Sequence, residues 1–460
     1  VVLLHFQTEL FGVEIKLIAL MDEYFGRISP QISEFIKGSL TAFLLRAFGA
    51  VLVFSVNAYV ARSLGVNNSG VYFLSVTLTA IIIHICRFGL DNSIVRFIAA
   101  YSSTGKWALV KGVFAESFII TIAGAVLLAT AWYKLIPYFS IDVFKKPELI
   151  IPLRAMVIFI LPSALIVLIA EAFRGLKKIG RTAFLQNIFV PMFVLVGFLL
   201  TGISDNISHI IKLYVIGFYC GVFVAMFLWR QATPELKSVS PEYITSKLVK
   251  TSLPLFSVNI MYILTLWTST IVMGMYYGNA QVGIYNVAVR TANLMSFVIV
   301  SINAIAAPVF AGLYHQNKFD QLKMTAQKLT SIMTVLTFPL LILLIIFAGN
   351  IMSIFGSQFS EGGSALIILV IGYYVNVTTG PVGILLMMSG NEKLMRNNLI
   401  LITLLNIILS FILIPKYGIV GAAITSTITM VVQHTISMTM VRFKLKFWTM
   451  RLADIVESKL

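Results

Sequence analysis

The stretch Ser69–Ala100, SGVYFLSVTLTAIIIHICRFGLDNSIVRFIAA, decides how this chain is read. It is a long apolar run that carries His84, Arg87, Asp91 and Arg96 near its middle and end. Such a run is too apolar for a soluble surface helix and too charged for an idle membrane anchor. At 3.6 residues per turn, Thr77, His84, Arg87 and Asp91 fall on one face of a helix otherwise made of Ile, Leu, Phe and Val. A charge at the centre of a bilayer helix costs about 2.5–3.5 kcal/mol, so this stripe should face a protein interior or a wet cavity. The remainder of the chain reads as the bundle that supplies that interior.

Of the 460 residues, 59% are hydrophobic and 11% charged, with a mean hydropathy of +0.95. Soluble globular chains are about 45–50% apolar and about 25% charged, so this is a polytopic membrane protein. The net charge of +16 sits in short loops, which points to membrane topology and away from nucleic acid. Cys86 and Cys220 both lie in apolar runs, where buried thiols are ordinary. Apolar runs of about 20 residues give twelve expected spans, near 36–61, 70–99, 108–133, 150–172, 182–202, 209–229, 252–276, 282–311, 326–348, 364–388, 397–415 and 418–441. The expected fold is all-α: an amphipathic cytoplasmic segment (1–35), a six-helix bundle (36–230), a linker (231–251), a second six-helix bundle (252–441) and a basic tail (442–460). The chain starts at Val1 and not at Met, which leaves the completeness of its N-terminus open. The N-terminal flank, alternate loops and tail hold 23 of the 34 Lys and Arg, against 6 on the opposite side. The positive-inside rule then places both termini in the cytoplasm.

The two halves repeat each other. Gly65-Val-Asn-Asn-Ser-Gly70-Val-Tyr72 matches Gly278-Asn-Ala-Gln-Val-Gly283-Ile-Tyr285 at an offset of 213. In both, the turn joins the first span of a half to its second. The basic turn Gly175–Arg181 pairs with Gly390–Arg396 at an offset of 215. Six spans per half and equal orientation make the repeat parallel, a layout that encloses a central cavity between two rocking bundles.

Leu44-Leu-Arg46-Ala-Phe-Gly49, Ala61-Arg62-Ser-Leu-Gly65, Gly70-Val-Tyr72 and Arg87-Phe-Gly89-Leu-Asp91-Asn-Ser-Ile-Val-Arg96 carry a family likeness. They resemble the polysaccharide-exporter branch, with its O-antigen repeat-unit flippases, of the multidrug/oligosaccharidyl-lipid/polysaccharide superfamily. The strongest match covers about residues 40–110; the rest agrees in span count and two-halved layout. The resemblance implies a MATE-like fold of two six-helix bundles. It also implies a substrate, an undecaprenyl-pyrophosphate-linked oligosaccharide moved from the inner to the outer leaflet of a bacterial plasma membrane. The expected partners are that polyprenyl-linked glycan, membrane lipids and polysaccharide-assembly proteins, with no nucleic acid and no cofactor.

A lipid-linked pyrophosphate calls for sheltered cations, and the planar fork of arginine suits phosphate oxygens. Arg46 and Asn57 share a face of the first span, and Arg290 and Asn293 share a face of the eighth. With Arg87, these form the candidate cationic cavity: Arg46 and Arg87 toward the cytoplasmic side, Arg290 toward the outer side. Two readings of Arg87 stay open, a cavity cation or an i,i+4 pair with Asp91. Asp91, Glu116 and His84 are the candidates for coupling to H+ or Na+, if an ion is coupled at all.

No GxxxxGK[ST] loop and no HExxH or Cys/His cluster is present, so neither P-loop hydrolysis nor a metal site is indicated. The expectation is therefore a transporter and not an enzyme. A multidrug antiporter of the MATE type is the runner-up, although it calls for an acidic cavity. A peptidoglycan-precursor flippase is a further alternative within transport, and a non-transporting assembly partner an alternative outside it. A polytopic polymerase would need a sizeable outer loop, for which the turns at 62–69, 276–281 and 350–363 are too short.

Overall fold

The computed structural model describes residues 30–202 and 206–450. Residues 1–29 of the amphipathic segment and 451–460 of the tail lie outside the described residues. Among the described residues all regular structure is helical: α1 Pro30–Cys86, α2 Leu90–Ser102, α3 Trp107–Tyr138, α4 Ile150–Val157, α5 Ile160–Gly175, α6 Ile179–Ala183, α7 Val190–Thr201 and α8 Ile207–Ala232 in the first half. The second half has α9 Thr245–Tyr276, α10 Asn279–Ala292, α11 Ser296–His315, α12 Phe319–Ile346, α13 Ala348–Ser353, α14 Gly363–Thr379, α15 Val382–Met388 and α16 Glu392–Leu445. The fold is an all-α membrane protein.

A straight helix of the 57 residues of α1 would be about 85 Å long, far beyond the hydrocarbon core of about 30 Å. Gly65 (φ 68°, ψ 175°) breaks it, and Gly418 (φ 55°) breaks the 54-residue α16 in the same way. Among the described residues, nine helices are long and apolar enough to cross a membrane, and α4 and α5 form a tenth span bent by 51°. Taking α1 and α16 as two spans each is consistent with the twelve expected.

Glycines let the two halves touch. A Cβ on Gly70 would fall 1.8 Å from the carbonyl oxygen of Asn279, and one on Gly283 would fall 3.0 Å from the backbone nitrogen of Gly70. The repeat-related turns thus lie against each other, as small residues allow between membrane helices. At this Gly65 end, Lys146 Nζ donates to the Tyr277 carbonyl (2.8 Å) and Asn279 Nδ2 to Glu148 Oε1 (2.7 Å). Burial pushes the Lys146 ammonium down to about 8, with Glu148 pulling the other way. At the opposite end Ser252 Oγ donates to Ser93 Oγ (2.8 Å), and Phe88 stacks on Phe256 with ring centroids 4.9 Å apart.

Several expected spans are broken. The second is not one helix over 70–99: it stops at Cys86 and restarts at Leu90, through Phe88 (φ 49°) and Gly89 (φ 73°). A side chain at Gly89 would meet the Ser252 carbonyl oxygen at 2.5 Å, so that turn requires glycine twice over. The eighth span passes through a 3-10 turn at Asn293–Met295, and the fifth through a π-helical stretch at Phe184–Phe189.

Candidate functional site

Two adjoining chambers lie at the centre of the molecule. The first, about 400 Å³, is bounded by α1 of one half and by α10, the Asn293–Met295 turn and α11 of the other. Arg46, Asn57, Arg290 and Asn293 all line it, with Gln186 and Asn187 from the π-helical stretch. The second, about 460 Å³, lies within the first half and is lined by Asn57, His84 and Arg87 together with Arg290. Val53, Asn57, Gln186 and Arg290 belong to both and form the wall between them. Among the described residues, no Asp or Glu lines either chamber.

Arg290 is the second half's contribution to the first. It sits at the end of α10, three residues before the helix breaks, and its Cζ lies 4.7 Å from the centroid of the Phe73 ring on α1. Guanidinium over an aromatic face is a favourable contact that leaves the N–H donors at the rim unspent. Its Nε is buried and has no hydrogen-bond partner, a condition that calls for an explanation in a native structure. Arg46 is partly buried on α1. At about 1.5 Å per residue, Arg46 lies roughly 29 Å from the Gly65 turn and Arg290 roughly 18 Å from the Gly278 turn. Among the described residues, the ion pairs join Arg87 to Asp91 and Arg174 to Glu171, and neither Arg46 nor Arg290 takes part.

Arg87 differs. Its Nε donates to Asp91 Oδ1 at 2.7 Å, and its Nη2 lies 2.7 Å from His84 Nδ1. A guanidinium only donates, so Nδ1 accepts and the imidazole proton resides on Nε2. Asp91 falls in the first turn of α2, where its charge also suits the helix N-terminus. The pair spans the break between α1 and α2, so it is made across a turn and not along one helix face. Arg87 is thus paired with Asp91 and also lines the second chamber.

Asn57 is buried and donates to the Val53 carbonyl (2.8 Å). Asn293 is exposed to the chamber, and its Oδ1 accepts from Ser296 Oγ (2.7 Å). Glu116 stands apart from both chambers. Its Oε2 accepts from the Ile244 N–H (3.2 Å) and its Oε1 from the Thr245 hydroxyl. It thereby caps the start of α9 from another helix, a carboxylate at the positive end of a dipole. Next to it Lys111 Nζ donates to the carbonyls of Leu236 (2.9 Å) and Val239 (2.8 Å), fastening the linker to α3.

The model of the polysaccharide biosynthesis protein family matches residues 35–314, more than half of the chain. The chain belongs to the polysaccharide biosynthesis protein family. The MatE family model matches residues 254–412 as well. The probable low-salt glycan biosynthesis flippase of Haloferax volcanii is 24% identical over 419 residues, covering 86% of this chain and 81% of that protein. The inward-facing conformation of a multidrug resistance MATE family transporter superposes with a TM-score of 0.72 at 13% identity, over 88% of this chain and 98% of its own. The lipid II flippase MurJ, in an inward closed conformation, also superposes with a TM-score of 0.72, at 16% identity over 91% and 89%. At these identities the solved structures establish the fold, which is MATE-like. The relative and the two solved proteins are named as a flippase or a transporter.

Sequence reasoning brought Arg46, Asn57, Arg290 and Asn293 to one chamber but missed Gln186 and the aromatic lining. Gln186 and Asn187 are adjacent polar residues in an otherwise apolar run, Phe184–Leu200, a signal that was available. Tyr72, Phe159, Tyr214 and Phe218 carried none, because aromatic residues are common throughout this chain.

Proposed function

We propose that the protein is a flippase that moves a polyprenyl-pyrophosphate-linked oligosaccharide across the membrane by alternating access between its two halves. The phosphate head group sits in the chamber between the halves, held by Arg46 and Arg290 with Asn57 and Asn293 beside them. The observation that supports this reading is the charge of the lining: among the described residues, two arginines outside any ion pair, and no carboxylate. Guanidinium forks suit phosphate oxygens, whereas a cationic drug would be repelled by the same wall, so the multidrug reading is disfavoured. The specific substrate is an undecaprenyl-pyrophosphate-linked repeat unit. The excess of Lys and Arg on one side puts the termini in the cytoplasm of a plasma membrane and makes the Gly65 end the outer one.

Complementation tests this in a bacterium lacking its own repeat-unit flippase, with wild type, Arg290→Ala and Arg46→Ala at matched membrane levels. Surface glycan restored by wild type and lost in the alanine variants supports the reading. Equal restoration by all three removes the cationic-chamber mechanism, and drug resistance conferred in place of glycan export favours the antiporter.

A further inference from the structure

The chamber within the first half has no role in holding the phosphate, yet it opens on the same wall. Its rings form a continuous series. Phe159 stacks on Phe218 (5.3 Å between centroids), Phe218 adjoins Tyr214 (6.3 Å), and Tyr214 adjoins Tyr72 (6.5 Å). Tyr72 meets Phe73 edge-on (5.3 Å), and Arg290 lies over Phe73. An aromatic rail thus runs through the first half and ends beneath the cation assigned to the head group. Polar groups are spaced along it: the Tyr72 and Tyr214 hydroxyls, Gln186 and His84.

We infer that this chamber is a subsite for the uncharged sugar nearest the pyrophosphate. The inference rests on the flippase reading above and adds to it the class of sugar and the direction in which the glycan points. A pyranose ring has a C–H face and a polar rim. The rail offers flat apolar surface to the face, and tyrosine carries a polar handle for the rim. A volume of about 460 Å³ lies in the range of small-ligand pockets and accommodates roughly one or two sugar rings, not a whole oligosaccharide. The shared residues Val53, Asn57, Gln186 and Arg290 place the sugar within one linkage of the phosphate.

The sugar is neutral because the chamber's other cation is spent. Arg87 gives one donor to Asp91 and another to His84, which leaves no counter-charge for an acidic sugar at that end. A polyprenyl tail fits poorly. It would lay hydrocarbon against His84, Gln186, Arg87 and the two tyrosines, a lining better matched by the hydroxyls of a sugar, and the chamber is walled by helices of the first half and Arg290.

The test is equilibrium binding to the full chain in phosphatidylethanolamine–phosphatidylglycerol vesicles, with two probes: undecaprenyl pyrophosphate and undecaprenyl-pyrophosphoryl-N-acetylglucosamine. Wild type should bind the sugar-bearing probe at least about tenfold more tightly than the bare one, the effect of a few ring contacts. Phe159→Leu and Phe218→Leu should bring that ratio close to one, and Tyr214→Phe, which keeps the ring, should retain most of it. Each ratio is taken within one variant, so a general loss of folded protein does not imitate it. Equal binding of both probes by wild type overturns the subsite and leaves the head-group reading standing. A ratio that survives in both leucine variants puts the sugar elsewhere and also overturns it. Binding of neither probe removes both readings together.

Discussion

The two halves of this protein descend from one pattern and solve their buried polarity differently. The first half holds ion pairs: Arg87 with Asp91 in its interior, with the neutral His84 beside them, and the buried Glu171 with the exposed Arg174 and with Gln186. The second half holds hydroxyls and amides. Ser269 Oγ lies 3.4 Å from Ser410 Oγ and from Ser426 Oγ, the Tyr285 hydroxyl 2.9 Å from Ser426 Oγ, and Thr265 Oγ1 2.8 Å from Thr403 Oγ1. Asn398 Nδ2 donates to Ser437 Oγ (2.9 Å). Uncharged pairs of this kind stabilise helix packing modestly, whereas a buried ion pair becomes costly once one partner is removed. The halves therefore differ in what they put at risk. The second is a packed scaffold whose one cation at the chambers, Arg290, reaches into the first half. The first carries His84, Arg87 and Gln186 of the second chamber's polar wall, and shares the first chamber's wall with Asn293 and Ser296 of the second half.

The difference is sharpest where a charge is left alone. Asp91→Asn strands Arg87, whose side chain is 3% exposed, and should cost about 3–5 kcal/mol. The unfolding midpoint in detergent measures this, and the double change Arg87→Met with Asp91→Leu should recover most of it. A loss under 1 kcal/mol would mean that the first half is not organised around its ions. Next in size is Arg290→Ala, which should weaken binding of a polyprenyl pyrophosphate by at least about 30-fold. Arg290→Lys should recover part of the loss, as a point charge without the fork; full recovery would make charge alone sufficient.

Gly70→Ala and Gly283→Ala press on the same contact from the two halves, each costing about 1–3 kcal/mol by overpacking. Because they share one contact, the double variant should lose less than the two losses combined, and additivity would show that the turns move independently. The smallest effect belongs to the second half. Ser269→Ala should cost about 0.6 kcal/mol, since Ser426 keeps Tyr285 as a partner. A loss as large as that of Asp91→Asn would abolish the contrast between the halves.

Much of this was legible in the residues. Hydropathy gave the membrane class because no other solvent tolerates such a composition, and the Gly65 and Gly278 turns announced the parallel repeat through spacing alone. Arg46 and Arg290 stood out because a cation in an apolar run must face something polar. The family pattern around Arg87–Arg96 was visible too, but not that the chain breaks inside it. The break follows from Gly89 lying against Ser252 and Phe256 of the other half, a neighbour that no local period encodes. Glu116 looked like a candidate for ion coupling because its partners, Ile244 and Thr245, are some 128 positions away.

The sequence by itself determined a two-halved helical membrane protein with arginines set into its spans, because burial energy and helical period are local properties. Only the tertiary structure decided which of the chamber-lining arginines is paired and which are not. It also aligned Phe159, Phe218, Tyr214 and Tyr72 into one rail, because the direction of a side chain depends on how helices rotate and pack against one another.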